Sequence, residues 1–338
     1  MLFLALETSC DETSAAVFRD DLTILSNVVA SQTDLHAHFG GVVPEIAARA
    51  HLRNILPMIE EALKQANVTL SDINCIAVHN TPGLVGALLI GVTAAKSLSL
   101  ALNLPLISVN HVSSHIFACR VAAARDIFPC VGLVVSGGHT SLFHCKSALE
   151  FELIGGTRDD AAGEAFDKVA AILGLGFPGG PALEKEAALG NPQAHAFPRS
   201  FIHDDSLDFS FSGLKTAVLY ALHGVGNAKG PFPGPGARRA DLAASFQTAV
   251  VDVLVSKCDK ALRQTGLKRL AVGGGVTANK TLRAGLEKMC AKRGYELFIP
   301  PMNLCTDNAA MACLAVEKYK LGRFADLDLD AEPNSIGV

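Results

Sequence analysis

The chain has 338 residues, 49% of them hydrophobic, with a mean hydropathy of +0.31 and a formal net charge of −4. That length predicts two domains, and that apolar content excludes a disordered chain. With no tryptophan, three tyrosines and a negative net charge, neither an aromatic stacking platform nor a globally basic surface is available, so a nucleic acid would be held mainly by local charge and backbone.

In chain order, the first strand is the apolar run Leu2 to Leu6. The polar turn Glu7-Thr8-Ser9-Cys10-Asp11-Glu12-Thr13 follows, and a return strand begins at Ala15. Ile46 to Gln65 carries Ile46, Ala50, Ile55, Ile59 and Leu63 on one helical stripe, with Pro57 predicting a kink. Gly83 to Leu102 reads as a central, nearly all-apolar helix. Its longest apolar stretch ends at Lys96, too short for a membrane span, and no membrane partner is expected. Cys130 to Val135 is again a strand, Ser136-Gly137-Gly138-His139-Thr140-Ser141 a turn, and Leu142-Phe143 a return. Asp159-Asp160 is expected to cap a helix to about Leu173. Residues 224–238 are rich in glycine and proline and read as a loop or insertion. A long amphipathic helix is predicted over Leu242 to Gln264. Leu270 to Val272 leads into Gly273-Gly274-Gly275-Val276 and a helix near Ala278-Asn279. Asp307 to Leu321 is the last helix, and the acidic tail after Phe324 is expected to be peripheral.

The N-terminus lacks the basic start and long apolar region of a signal peptide. Nine scattered cysteines with no C-x-x-C pair read as reduced thiols, which suits a cytoplasmic protein. Between Lys257 and Arg293 ten basic residues stand against two acidic ones, either as two solvated helix faces or as a surface for a polyanion.

Two strand–turn–strand units, each opening a half of the chain, suggest an internal duplication. Glycine turns after strands let backbone amides approach phosphate oxygens. Ser136-Gly137-Gly138-His139-Thr140 and Gly273-Gly274-Gly275 both fit, and with the polar N-terminal hairpin they have the layout of the actin/hexokinase/Hsp70-like (ASKHA) fold. That layout is an α/β fold of two duplicated subdomains with an interdomain cleft. The expected bounds are 1–109 plus about 305–325 for subdomain I, 110–304 for subdomain II, and 326–338 for the tail. No P-loop pattern is present. Asp167, on the helix after Asp159-Asp160, either accepts ribose hydroxyls or pairs with Lys168 on the surface. Gly179-Gly180-Pro181 would let the backbone approach the same sugar.

His111 and His115 stand four residues apart in Asn110-His111-Val112-Ser113-Ser114-His115. On a helix they share one face, as either buried structural histidines or half a metal site. The glutamate of the protease pattern H-E-x-x-H is missing, which argues against hydrolysis by a metal-bound water. Asp307, in Cys305-Thr306-Asp307-Asn308, is the candidate third ligand. Two imidazoles and a carboxylate suit Fe(II) or Zn(II) with open positions.

The segments ETSCDET (7–13), H-x-H-x-G-G-V-V-P-E (36–45), SGGHT (136–140), DDAAGEAFDKVA (159–170), P-G-G-P (178–181), FSFSGLKT (209–216), GGGVTAN (273–279) and CTDNAAM (305–311) closely resemble the TsaD family, also called Kae or Gcp-like proteins. The match runs from residue 1 to about 323. The resemblance implies transfer of a threonylcarbamoyl group from threonylcarbamoyl-AMP to N6 of adenosine 37 in tRNAs reading codons that begin with A, with release of AMP. It implies metal ligands at His111, His115 and Asp307, with one divalent ion per subunit, Fe(II) preferred and Zn(II) the alternative. Val134, Val135, Ser136, Gly137, Gly138, Asp167, Gly180 and Asn279 match positions that hold the adenylate. Implied partners are tRNA, a TsaB-like inactive paralogue and a TsaE-like ATPase, with a TsaC- or Sua-type synthase supplying the donor. Asp11 or Glu12 is the expected group for accepting the amine proton or orienting the carbamoyl. The competing classes are an actin-fold kinase, a metalloprotease and a non-catalytic partner. Departures from the family pattern are Ser113-Ser114 in place of Glu-Gly or Glu-Ala, Thr81 in place of a glycine before Pro82, a longer segment near 230–239, and an unusual C-terminus.

Overall fold

A computed structural model of the chain describes residues 1–224 and 238–334. The glycine- and proline-rich stretch expected as a loop falls almost wholly outside them. Backbone contacts divide the chain into two compact units. One comprises Met1–Phe128, Lys146–Phe151 and the residues from Pro300 on, the other Pro129–Cys145 and Glu152–Ile299.

The first unit is built on β1 (Leu2–Glu7), β2 (Glu12–Arg19), β3 (Ile24–Ser31), α1 (Thr33–Ala37), α2 (Pro44–Ala66), β4 (Cys75–Thr81), α3 (Val85–Leu102), β5 (Leu106–Asn110) and α4 (His111–Ala123). Its sheet has the order β3-β2-β1-β4-β5. β1 and β2 pair antiparallel across the Thr8–Asp11 turn, whereas β4 joins β1, and β5 joins β4, in parallel. β1 and β4 are buried almost without alternation, as strands covered on both faces are, although β4 ends on the polar His79-Asn80-Thr81. Pro57 lies inside α2, and α3 buries Ala87, Leu88, Val92 and Ala95. Among the described residues α3 is the one helix long and apolar enough to cross a membrane, and it is packed here against β4.

The second unit repeats the plan with β6 (Cys130–Val135), β7 (Thr140–Ser147), β8 (Glu150–Gly156), α5 (Ala162–Ile172), α6 (Gly179–Ala187), α7 (Ser212–His223), α8 (Arg239–Thr265), β9 (Arg269–Gly273), α9 (Lys280–Arg293) and β10 (Glu296–Phe298). Its sheet order, β10-β9-β6-β7-β8, is the first sheet's order read from the other edge. β6 again pairs antiparallel with its hairpin partner and parallel with the later strand β9. The duplication expected from the two hairpins is thus present strand for strand, in the α/β class of the actin/hexokinase/Hsp70-like fold.

The boundaries differ from those expected. The first break falls after Phe128 rather than at 109, because α4 continues from β5 and packs on the 3-10 segment Ala309–Leu314. The last helix is shorter than expected: α10 spans Ala315–Lys320, and residues 309–314 wind as that 3-10 segment. The tail is exposed but fastened. Ala325 N donates to Leu106 O at 2.8 Å, Glu332 N to Asn80 O at 2.9 Å and Lys96 Nζ to Leu329 O at 2.9 Å.

Candidate functional site

Two clusters of the expected residues assemble, one in each unit. In the first unit, α4 starts where β5 ends. Asn110 caps it, its Oδ1 accepting from Ser113 N at 3.0 Å. The first residue of that helix is His111, and His115 lies one turn on. Asp307 sits in a turn that is tied down just beyond it: Ala309 N donates to Ser14 Oγ at 2.9 Å, and Asn27 Nδ2 to Asn308 Oδ1 at 3.2 Å. The result brings Asp307 Oδ1 to 3.6 Å from His111 Nε2 and 3.3 Å from His115 Nε2. One ligand atom from each of the three lies within 4.8 Å of the others.

These side chains fit a cation. His115 is fully buried, and neither of its ring nitrogens makes a hydrogen bond, although Nε2 closely faces Asp307. An orphaned imidazole of that kind costs free energy without a partner, and a metal ion is the partner its donor set suits. Burial pushes the His115 pKa down, toward the neutral form that ligates. Burial also opposes charge on His111, but the carboxylates of Asp307 and Glu7 outweigh it and raise its pKa to about 9. Asp307 is held below the usual carboxylate range because its two histidines outweigh the effect of burial.

Asp11 and Glu12 occupy the β1–β2 turn. Glu12 opens β2 beside Ser31, whose Oγ donates to Glu12 Oε1 at 3.4 Å. Burial, then the charges of Asp307 and Asp11, push the Glu12 carboxyl well above its ordinary range. The same surroundings push the Cys10 thiol up.

In the second unit, Gly137, Asp167, Gly180 and Asn279 line one pocket of about 190 Å³, with Phe166 and Glu184. Its walls depend on two close approaches. Gly163 N donates to Ser136 O at 3.1 Å, and a Cβ on Gly163 would meet that oxygen at 2.5 Å. Gly274, at φ +97°, leaves room for Val135 O, which a Cβ would meet at 2.4 Å. The two glycine turns therefore lie side by side, as the parallel pairing of β6 with β9 requires. A Cβ added at Gly137 or Gly138 would meet nothing within 4 Å, so this part of the turn borders open space. Val134 and Val135 are wholly buried in β6, and Ser136 closes the turn by accepting from His139 N at its Oγ. These three and Gly138 are not in the pocket wall but shape the turn that is.

Asp167 is tied to the start of α6. Its Oδ1 accepts from Gly179 N at 2.8 Å, while Lys168 bridges Asp160 and Glu164. Asn279 is committed inside the protein. Its Oδ1 caps α9 through Leu282 N at 3.0 Å, and its Nδ2 donates to Gln247 Oε1 at 2.8 Å. Asp159 and Asp160 do not cap α5. That helix begins with Ala162 N donating to Thr140 Oγ1, and Asp159 instead gathers Ser210, Phe211 and Ser212 at the start of α7.

Sequence reasoning missed Glu184, which lines the pocket and accepts from Lys280 N at 2.7 Å. Its place one helical turn after Gly180 was the available signal. It also missed Glu7 and His79 behind the triad. Nothing in a uniformly buried strand distinguishes those two positions.

A family model described as TsaD, tRNA N6-adenosine threonylcarbamoyltransferase, matches residues 23–313. The chain is 54% identical to the tRNA N6-adenosine threonylcarbamoyltransferase of Rhodopirellula baltica, over 98% of this chain and 96% of that protein. It is 52% identical to that of Halalkalibacterium halodurans, over 98% of this chain and 95% of that protein. Among solved structures, full-length HypF in its phosphate- and nucleotide-bound form aligns with a TM-score of 0.65 at 15% identity. That alignment covers 95% of this chain and 46% of HypF, and it speaks to the fold alone.

Proposed function

We infer the chemistry of this chain from one premise: it belongs to the TsaD family of tRNA N6-adenosine threonylcarbamoyltransferases. It is a transferase that forms threonylcarbamoyladenosine in tRNA. The donor is threonylcarbamoyl-AMP and the acceptor is N6 of adenosine 37 in tRNAs reading codons that begin with A. In the reaction the amine nitrogen bonds to the carbamoyl carbon, the bond from that carbon to the phosphate oxygen breaks, AMP leaves, and the amine loses a proton.

The observation that carries the reading is the convergence of His111, His115 and Asp307. A non-catalytic relative would have no need of three such ligands. His111, His115 and Asp307 would hold a divalent ion, Fe(II) by preference, which would supply Lewis acidity for the carbamoyl chemistry. The pocket beside Gly137 takes the adenylate, with Asp167 and Gly180 at the sugar. The backbone amides of Gly137 and Gly138 stabilise charge that grows on the leaving phosphate. Glu12 is the candidate acceptor for the amine proton, because a carboxyl raised toward neutrality is a better base than an ordinary one. Asp11 orients the carbamoyl group beside it.

Leu52 and Leu56 on α2, with Val85 and Leu89 on α3, are exposed pairs at helical spacing, next to the point where Gly86 lets α3 approach Ala48. We assign this face to the TsaB-like paralogue. A TsaE-like ATPase and a cytoplasmic location complete the reading, the latter in keeping with nine free thiols.

Mass spectrometry of tRNA nucleosides from cells depleted of the protein tests the function. Loss of threonylcarbamoyladenosine is expected, and a normal level in cells with no second copy of the gene overturns it. Glu12→Gln that transfers at the normal rate in a purified assay would remove Glu12 from its role.

A further inference from the structure

Behind the triad lie three buried polar side chains that the reaction does not use: Glu7 at the end of β1, His79 in β4 and Ser114 on α4. A buried carboxylate is costly unless donors surround it. Glu7 has them. Its Oε2 lies 2.8 Å from His79 Nδ1 and 3.1 Å from His111 Nδ1, and its Oε1 accepts from Ser9 N. His79 is held from its other side, with Nε2 3.0 Å from Ser114 Oγ. Ser114 Oγ in turn donates to Asn110 O at 2.8 Å, and Asn110 caps the helix that carries His111. The contacts form a closed ring through β1, β4, the end of β5 and α4. The rings of His79 and His111 meet edge to face, with centroids 5.9 Å apart.

We propose that Glu7, His79 and Ser114 form a positioning relay for the metal ligand His111, in which Glu7 orients the imidazole and His79, braced by Ser114, keeps Glu7 in place. The proposal rests on the reading of His111, His115 and Asp307 as a metal centre. When His111 donates from Nδ1 to Glu7, its Nε2 lone pair faces Asp307 and His115, where a cation would be held. Without His79 the Glu7 side chain loses one of its anchors, and the His111 ring loses its aim. Ser114 shares a helix with both histidine ligands yet turns its hydroxyl to His79, which links the residue that departs from the family pattern to the centre behind it.

Co(II) binding to the purified full-length chain tests the relay, read as a dissociation constant and as the visible spectrum that reports coordination geometry. Glu7→Gln is expected to weaken binding about 10–100-fold and His79→Ala about tenfold, each with an altered spectrum. His79→Asn, whose amide can still donate to Glu7, recovers part of the loss. A residue that merely fills space would lower the melting temperature of the metal-free protein without moving the Co(II) constant or spectrum. His111→Ala is the control on the centre itself, and wild-type binding there overturns that reading. Loss of binding in His111→Ala, with wild-type constants and spectra in Glu7→Gln and His79→Ala, overturns the relay alone. Should Glu7→Gln fail to fold, Ser114→Ala carries the test with a smaller loss in the same direction. Unchanged binding in both Ser114→Ala and His79→Ala then overturns the relay.

Discussion

His111 carries a proton that a cation must displace. With its pKa raised to about 9 in the metal-free protein, the affinity for a divalent ion is expected to rise about tenfold per pH unit below that value and to level off above it. Competition titrations between about pH 6.5 and 8.5 check this, and a flat profile would contradict the placement of the ion at His111. The same shift has a consequence for the metal-free fold. A histidine whose folded pKa lies above its unfolded value of about 6.5 stabilises fully below that pH, and the contribution fades as pH rises through about 9. The metal-free protein should therefore melt at lower temperature on the alkaline side of that window. The triad was legible in the sequence because helical spacing alone puts His111 and His115 on one face, and the Cys305-Thr306-Asp307-Asn308 segment resembles a family motif. Glu7 and His79 were not legible. Both stand in strands buried throughout, where the pattern that separates inward from outward positions is absent.

At the scale of elements, small residues decide how closely turns and helices approach. Gly163 in the first turn of α5 sits under Ser136 with no room for a Cβ. Gly163→Ala is expected to cost about 1–3 kcal/mol and to lift the Ser136–Thr140 turn, weakening AMP binding as well. Denaturation and calorimetry with AMP would read both effects, and a variant unchanged in both would remove the turn from the adenylate pocket. The strands and helices read from periodicity are present in that order, whereas β3, β4, β5, β8, β10, α1, α6 and α7 went unread, and so did the caps. Asp159-Asp160 stood at the expected place for a cap on α5. The structure gives that role to Thr140 and sends Asp159 to the start of α7, some fifty residues downstream. An aspartate accepts from whichever amides the fold brings near, and that partner is not a property of its neighbours in sequence.

For the molecule as a whole, the exposed apolar face of α2 and α3 is the feature a solitary chain would not need. Leu56→Glu with Leu89→Glu should leave the melting temperature nearly unchanged, since both side chains are solvent-facing, and should abolish co-elution with the TsaB-like paralogue. Retained co-elution would place that partner elsewhere. The basic surplus between Lys257 and Arg293 looks different once folded. Lys257 is buried against Asp204 and the carbonyls of Phe201 and Ser206, Lys260 meets Asp205, and Arg263 and Arg293 share Asp259. Charge counted along a chain does not predict a field in space when folding pairs part of it, here Lys257 and Lys260 with Asp204 and Asp205 from another segment.

The residues alone determined the α/β class, the duplication and the family, and they singled out His111, His115 and Asp307 as the candidate triad, because each is written in local spacing or in short motifs. Tertiary structure decided the rest. It placed α4 in the first unit, turned Asp167 to Gly179, enclosed Asn279 between Leu282 and Gln247, and set Glu7 and His79 behind His111. Each of those outcomes is a contact between groups distant in sequence. A buried polar atom takes the partner that packing delivers, and only the folded chain specifies which one that is.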